Sequence, residues 1–200
     1  MKRQHSESEH AWLQQAGRGD KDAFGKLIEA YQSPVYNLAY RMLGNAAEAE
    51  QAAQECFIRA WTRLHSYDPA HKFSTWLLSI ASNYCIDQLR KRRAQLLSLE
   101  GPLPAHPALT SELGAGPEAQ AEANERERRV QAMLRTLPAD YRQAVVLRYW
   151  YDMSYEEIAE VTKSTVSAVK SRLFRARRQL AEAEMEEEEP GLALAAEPAL

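Results

Sequence analysis

Between about Ala94 and Ala121 the chain carries no lysine or arginine, and from Gly101 it reads GPLPAHPALTSELGAGPEAQA, rich in proline, glycine and alanine and without helical period. Such a stretch supplies no regular apolar face, and clustered prolines keep it semi-extended. It divides the 200 residues into two blocks that must each bury a core of their own.

Both blocks read as helical. Phe24, Leu27, Ile28 and Tyr31 recur at i, i+3, i+4 and i+7, with Asp20 or Asp22 placed to cap the helix that carries them. Pro34 is expected to kink or restart it, after which Val35, Leu38, Ala39 and Met42 continue the stripe to a stop at Gly44-Asn45. A helix is expected over about Ala46 to Leu64, faced by Ala53, Cys56, Phe57, Ala60, Trp61 and Leu64. Another is expected over about Ser74 to Arg93, with Trp76, Leu77, Ile80, Ala81, Tyr84 and Leu89. Beyond the linker, helices resume near Glu122, run to Leu137, restart at Pro138 and turn at Asp152-Met153. With no strand alternation and no internal repeat, the expected fold is all-α. Two small helical domains over 10–93 and 122–181 are joined by a flexible linker, 94–121, and followed by an acidic tail, 182–200, expected to be disordered.

Several function classes fall away. At 45% hydrophobic and 26% charged residues the chain is not disordered throughout. Apolar runs such as Trp76-Leu77-Leu78 fall far short of the roughly 20 residues of a membrane span, and MKRQHSESEHAW has no signal-like apolar stretch. A cytoplasmic protein without membrane insertion is expected. Cys56 and Cys85 sit in helical apolar patterns outside any CxxC, which reads as two buried thiols, and His65 and His71 have neither a helical-pair nor a finger spacing. No metal, cofactor or catalytic residue is expected, since paired carboxylates, a nucleophile triad and a phosphate loop are all missing from the sequence.

The charge distribution points to a partner instead. Residues 122–181 carry 12 basic and eight acidic groups, whereas 182–200 carry no basic and seven acidic ones. Within the basic block KSTVSAVKSRLFRARR, Lys163 to Arg178, holds six cations and no acid. Ser154 and Glu157 form a capping box at the start of SYEEIAE, predicting a short helix from about Tyr155 to Val161 or Thr162. A second helix follows after a tight turn, its narrow apolar stripe marked by Val166, Val169, Leu173 and Leu180. Two short helices so joined make a helix-turn-helix. Its outward residues are small, hydroxylated or cationic, suiting a major groove where cations neutralise phosphates and hydroxyls or Arg reach base edges.

The segment LPADYRQAVVLRYWYDMSYEEIAEVTKSTVSAVKSRLFRARRQL resembles the carboxy-terminal domain of bacterial RNA polymerase sigma factors of the extracytoplasmic-function (ECF) group. DAFGKLIEAYQSPVYNLAYRMLG, AAQECFIRAWTRLHSYDP and KFSTWLLSIASNYCIDQLRKRR resemble their second sigma domain, in the same order. The resemblance covers about Ala16 to Leu180 except the linker. It implies a subunit that binds core polymerase and directs promoter recognition, DNA melting and initiation. Gln54, Glu55, Ile58 and Arg59 are implied as the face for the β′ clamp helices, with the β flap as a further contact. Tyr67, Lys72, Phe73, Trp76, Asn83 and Arg90 are implied for the minus 10 element, where aromatic and amide groups hold an unstacked base beside a cationic track. Thr165, Ser167, Ala168, Lys170, Ser171, Arg172 and Arg175 are implied for the minus 35 element, with Ser167-Ala168 standing where the family often has Gly-Thr. An anti-sigma partner is implied by family habit. Extended, the linker spans about 90 Å, enough to hold two domains on separate promoter elements.

The residues by themselves leave two other classes open. A conventional helix-turn-helix regulator with a helical effector domain fits the carboxy-terminal block but leaves HSYDPAHKFSTWLLSIASNYCIDQLRKRR unexplained. An enzyme built on Cys56 or a histidine requires a constellation that the spacing does not suggest.

Overall fold

A computed structural model describes residues 2–98 and 117–188, with side chains for 8–95 and 125–184. Among the described residues all regular structure is helical, in two compact units. The first contains α1 (Lys2–Gly17), α2 (Lys21–Leu43), α3 (Ala46–Arg63), a 3-10 turn (Leu64–Ser66) and α4 (Phe73–Ser98). The second is built on α5 (Pro117–Thr136), α6 (Ala139–Trp150), α7 (Tyr155–Val161) and α8 (Val166–Glu188).

In the first unit α2 packs against α1, α3 and α4. Its start is fixed by Asp20, whose Oδ1 accepts from the N–H groups of Asp22 and Ala23 at 2.9 and 3.1 Å. Its end is fixed by Gly44, left-handed at φ 72°, whose N–H returns to the Tyr40 carbonyl at 2.7 Å. Asn45 at once caps α3, accepting from Glu48 N–H at 3.0 Å. Pro34 does not restart the helix: α2 is assigned without a break from Lys21 to Leu43. A mid-helix proline costs about 3 kcal/mol. Burial of Leu27 before it and of Val35, Leu38, Ala39 and Met42 after it, on the same packed stripe, offsets that loss.

The first helix runs from Lys2, ahead of residue 10, and docks through Glu9. Helix continues into both ends of the expected linker: α4 runs on to Ser98 and α5 begins at Pro117, a residue suited to the first helical position. The remainder of that linker, 99–116, lies outside the described residues, as do 189–200 of the expected disordered tail. Residues 182–188 of that tail belong to α8, where Glu182 pairs with Arg178 one turn earlier at 2.7 Å.

The second unit closes around Leu134, Leu137, Ala144, Val146, Leu147, Ile158, Val169, Leu173 and Ala176. Buried Arg142 donates to the carbonyls of Arg135 and Leu137 at 3.1 and 3.3 Å, satisfying the end of α5 with a cation where the helix dipole favours one. Cys56 and Cys85 are both buried, and burial pushes each thiol up to about 12. Among the described residues no helix is long and apolar enough to cross a membrane, and no three His, Cys, Asp or Glu side chains gather to hold a metal.

Replacing Leu38 with Ala empties a fully buried site on the central helix and should destabilise the first unit by about 2–5 kcal/mol in a denaturant titration. Both thiols, protonated and enclosed, should ignore a thiol reagent at neutral pH and react fully once the chain is denatured.

Candidate nucleic-acid interface

A seven-residue helix cannot persist by propensity alone, and α7 is held at both ends. The Ser154 N–H donates to Glu157 Oε2 at 2.8 Å, and the Glu157 N–H donates to Ser154 Oγ at 3.1 Å, the reciprocal capping box expected from SYEEIAE. Beyond its other end Lys163 takes a left-handed turn at φ 50°, and the Ser164 N–H reaches back to the Ala159 carbonyl at 2.8 Å. Thr165 then starts α8, its Oγ1 accepting from the Ala168 N–H at 3.1 Å. The Thr165 hydroxyl thus caps the helix that it was expected to help place on DNA.

The buried stripe of α8 is Val169, Leu173 and Ala176, with Val166 and Leu180 half-buried. Outside it Ser167, Lys170, Ser171 and Arg175 are exposed, and Ala168 and Arg172 are half-buried. The cations are braced from below. Lys170 Nζ lies 5.7 Å above the Tyr155 ring, which Arg148 approaches at 5.2 Å, and Arg148 also donates to the Met153 carbonyl at 2.8 Å. Arg172 reaches Ser164 Oγ, and Arg175 reaches Tyr141 Oη, each at 3.4 Å. Phe174, 63% exposed, stands among these cations and is absent from the residues that the sequence singles out. The signal is there: an aromatic four residues after Lys170 and outside the Val169, Leu173, Ala176 stripe has no core to enter.

In the first unit four aromatic rings meet where the 3-10 turn passes into α4. Tyr67 lies 5.4 Å from both Phe73 and Trp76, edge-on to the former, and Phe73 lies 5.6 Å from Trp76. Tyr31 of α2 meets Phe73 edge-on at 5.4 Å. The Tyr67 hydroxyl donates to the His71 carbonyl at 2.7 Å, and Asp68 Oδ1 accepts from the Ala70 N–H at 2.9 Å, so the loop is closed on itself. Burial, then the carboxylates of Glu9 and Asp68, push the Tyr67 phenol up, keeping it a donor. Phe73, also implied for the minus 10 element, is only 2% exposed, since it opens α4 packed against Tyr67 and Trp76. Asn83 lies two helical turns beyond Trp76 on the same helix, and Lys72 and Arg90 are exposed. Arg92, in the basic run after Arg90, pairs with Glu48 of α3 and ties the two helices together.

The remaining group lies on α3. Gln54 is exposed and Ile58 is 61% exposed, while Cys56, Phe57 and Ala60 face inward. Glu55 and Arg59 are joined at 2.7 Å, and the Arg59 guanidinium lies 4.8 Å over the Tyr84 ring of α4. An exposed isoleucine flanked by a fixed ion pair suits a protein partner better than a nucleic acid.

The family model for Sigma-70 region 2 matches residues 27–95, covering the aromatic cluster and the α3 face. That for Sigma-70, region 4 matches residues 127–180, covering the helix-turn-helix. The ECF RNA polymerase sigma factor SigW of Bacillus subtilis is 38% identical over 174 residues, spanning 84% of this chain and 92% of its own. The RNA polymerase sigma-H factor of Pseudomonas aeruginosa is 33% identical over 186 residues, spanning 87% and 92%. The solved structure of CnrH, in complex with the cytosolic domain of CnrY, superposes with a TM-score of 0.65 at 26% identity, covering 90% of this chain and 98% of that one. The all-α fold, the two matched regions and these identities lead to one statement: the chain belongs to the ECF sigma factors, which act with RNA polymerase in promoter recognition and transcription initiation.

Proposed function

We propose that α8 reads the minus 35 element while the cluster around Tyr67 captures a base of the minus 10 element as the promoter opens. The observation that carries this reading is the doubly capped α7 followed by α8 with Ser167, Lys170, Ser171 and Arg175 exposed along one helix. Preorganised cations release counterions without first losing their own freedom, and Phe174 supplies an apolar surface suited to a thymine methyl. At the minus 10 element the unstacked base meets Tyr67 and Trp76, with Asn83 for its edge and Lys72 and Arg90 for the backbone.

Gln54, Glu55, Ile58 and Arg59 form the docking face for the β′ clamp helices of core polymerase, and the second unit also meets the β flap. Units 10–93 and 122–181 serve the two promoter elements, with 94–121 between them. The protein works in the cytoplasm, where its polymerase is, and supplies binding and base capture with no catalytic group of its own. An anti-sigma partner covers these faces when the regulon is silent; CnrH, 26% identical, is seen bound to the cytosolic domain of CnrY.

The testing experiment is reconstituted transcription: the protein with sigma-free bacterial core polymerase on fragmented genomic DNA, with transcript 5′ ends mapped. Starts that depend on the protein and share two upstream elements are expected; binding to DNA without dependent starts would return it to the conventional regulators. Lys170→Ala and Arg175→Ala should each lower the slope of log K against log salt by about 0.9, the change expected when one phosphate is no longer neutralised. Phe174→Ala should weaken specific binding while leaving that slope unchanged, since no ion is released by an apolar contact. Removing Glu182 to Leu200 should raise affinity for nonspecific duplex DNA, read by fluorescence anisotropy at fixed salt.

A further inference from the structure

The cluster around Tyr67 is held from a helix to which the sequence assigns no functional residue. Tyr31 meets Phe73 edge-on, at an interplanar angle of 74°, and its hydroxyl donates to Glu9 Oε2 of α1 at 2.6 Å. That length is typical of a hydroxyl held by a carboxylate. Burial, then the bond to Glu9 and its charge, push the Tyr31 phenol up, so it remains a donor. A continuous path of contacts therefore runs from Glu9 through Tyr31 and Phe73 to Tyr67 and Trp76, all within the first unit.

Phe73 is buried, and Tyr31 is one of the rings packed against it, edge-on from α2. The Tyr31 ring is in turn held by the bond of its hydroxyl to Glu9. The Tyr67 ring is anchored at its hydroxyl by His71 and flanked by Phe73 and Trp76, so its stance is set by that bond and those neighbours together. A surface that captures an unstacked base works best when it is already set, because ordering it during capture subtracts from the gain.

We propose that Glu9 is a positioning residue for promoter opening: by accepting from Tyr31 it sets, through Phe73, the stance of Tyr67 and Trp76. This rests on the reading of Tyr67 as the base contact. What it requires of position 9 is an acceptor, to which the carboxylate charge adds strength. The carboxylate is repulsive toward DNA in its own right, and this separates the two possible roles experimentally.

The test uses the full chain assembled with core polymerase on a promoter fragment taken from the mapped starts. A 2-aminopurine in the minus 10 element reports unstacking, and rates are measured at saturating holoenzyme. Glu9→Ala and Tyr31→Phe should each slow opening about fivefold, the loss expected for one hydrogen bond. Assembly with core and closed-complex affinity should remain unchanged. Glu9→Gln, which retains an acceptor but loses the charge, should open faster than Glu9→Ala. Adding Glu9→Ala to Tyr67→Ala should cause no further loss, since both act on one surface. The inference is overturned if Tyr67→Ala slows opening while Glu9→Ala and Tyr31→Phe do not, if Glu9→Gln is as slow as Glu9→Ala, or if the losses multiply. Parental opening by Tyr67→Ala would instead remove the base-contact reading itself, and this inference with it.

Discussion

The apolar seam of α2 is the constraint on which the first unit is built. Leu27, Val35, Leu38 and Met42 are enclosed by three other helices, so a proline in the middle of α2 is carried by burial on either side of it. The outer helices keep one face each. On α3 that leaves Ile58 and the Glu55–Arg59 pair outward; on α4 it leaves the basic end outward, with Arg92 drawn back to Glu48. The Ile58 face of α3 and the basic end of α4 are thus the two sides left over when α2 is buried.

The second unit solves a different problem. A seven-residue helix has too few internal hydrogen bonds to offset its ordering, so the reciprocal Ser154–Glu157 bonds and the burial of Ile158 support α7 together. Once α7 is fixed, Lys163 and Thr165 determine where α8 starts, and the stripe of Val169, Leu173 and Ala176 determines its rotation. Lys170 and Arg175 face outward as a consequence. The braces from Tyr155 and Tyr141 then restrict cations that would otherwise sample many rotamers.

Much of this is legible in the chain, because periodicity and caps are local signals. Asp20, Gly44, the Ser154–Glu157 box and the α7–α8 turn can all be read from adjacent residues. A role for the loop around Tyr67 is legible only through its resemblance to a family. The burial of Phe73 is not legible, because an aromatic at the mouth of a helix looks the same in sequence whether it faces a ligand or the core. Phe174, by contrast, carries a local signal, since its position four residues after Lys170 falls outside the apolar stripe of α8.

The sequence by itself determined the helical class, several of the helix caps, the division into two units and the basic run that suits a nucleic acid, because hydrophobic period, capping and charge act over a few residues. Only the tertiary structure decided which groups support the others: that Glu9 bonds Tyr31, that Tyr31 leans on Phe73, and that Arg142 closes the end of α5. Those contacts join residues on different helices. They depend on how the apolar seams pack together, a result of three-dimensional burial that no local spacing encodes.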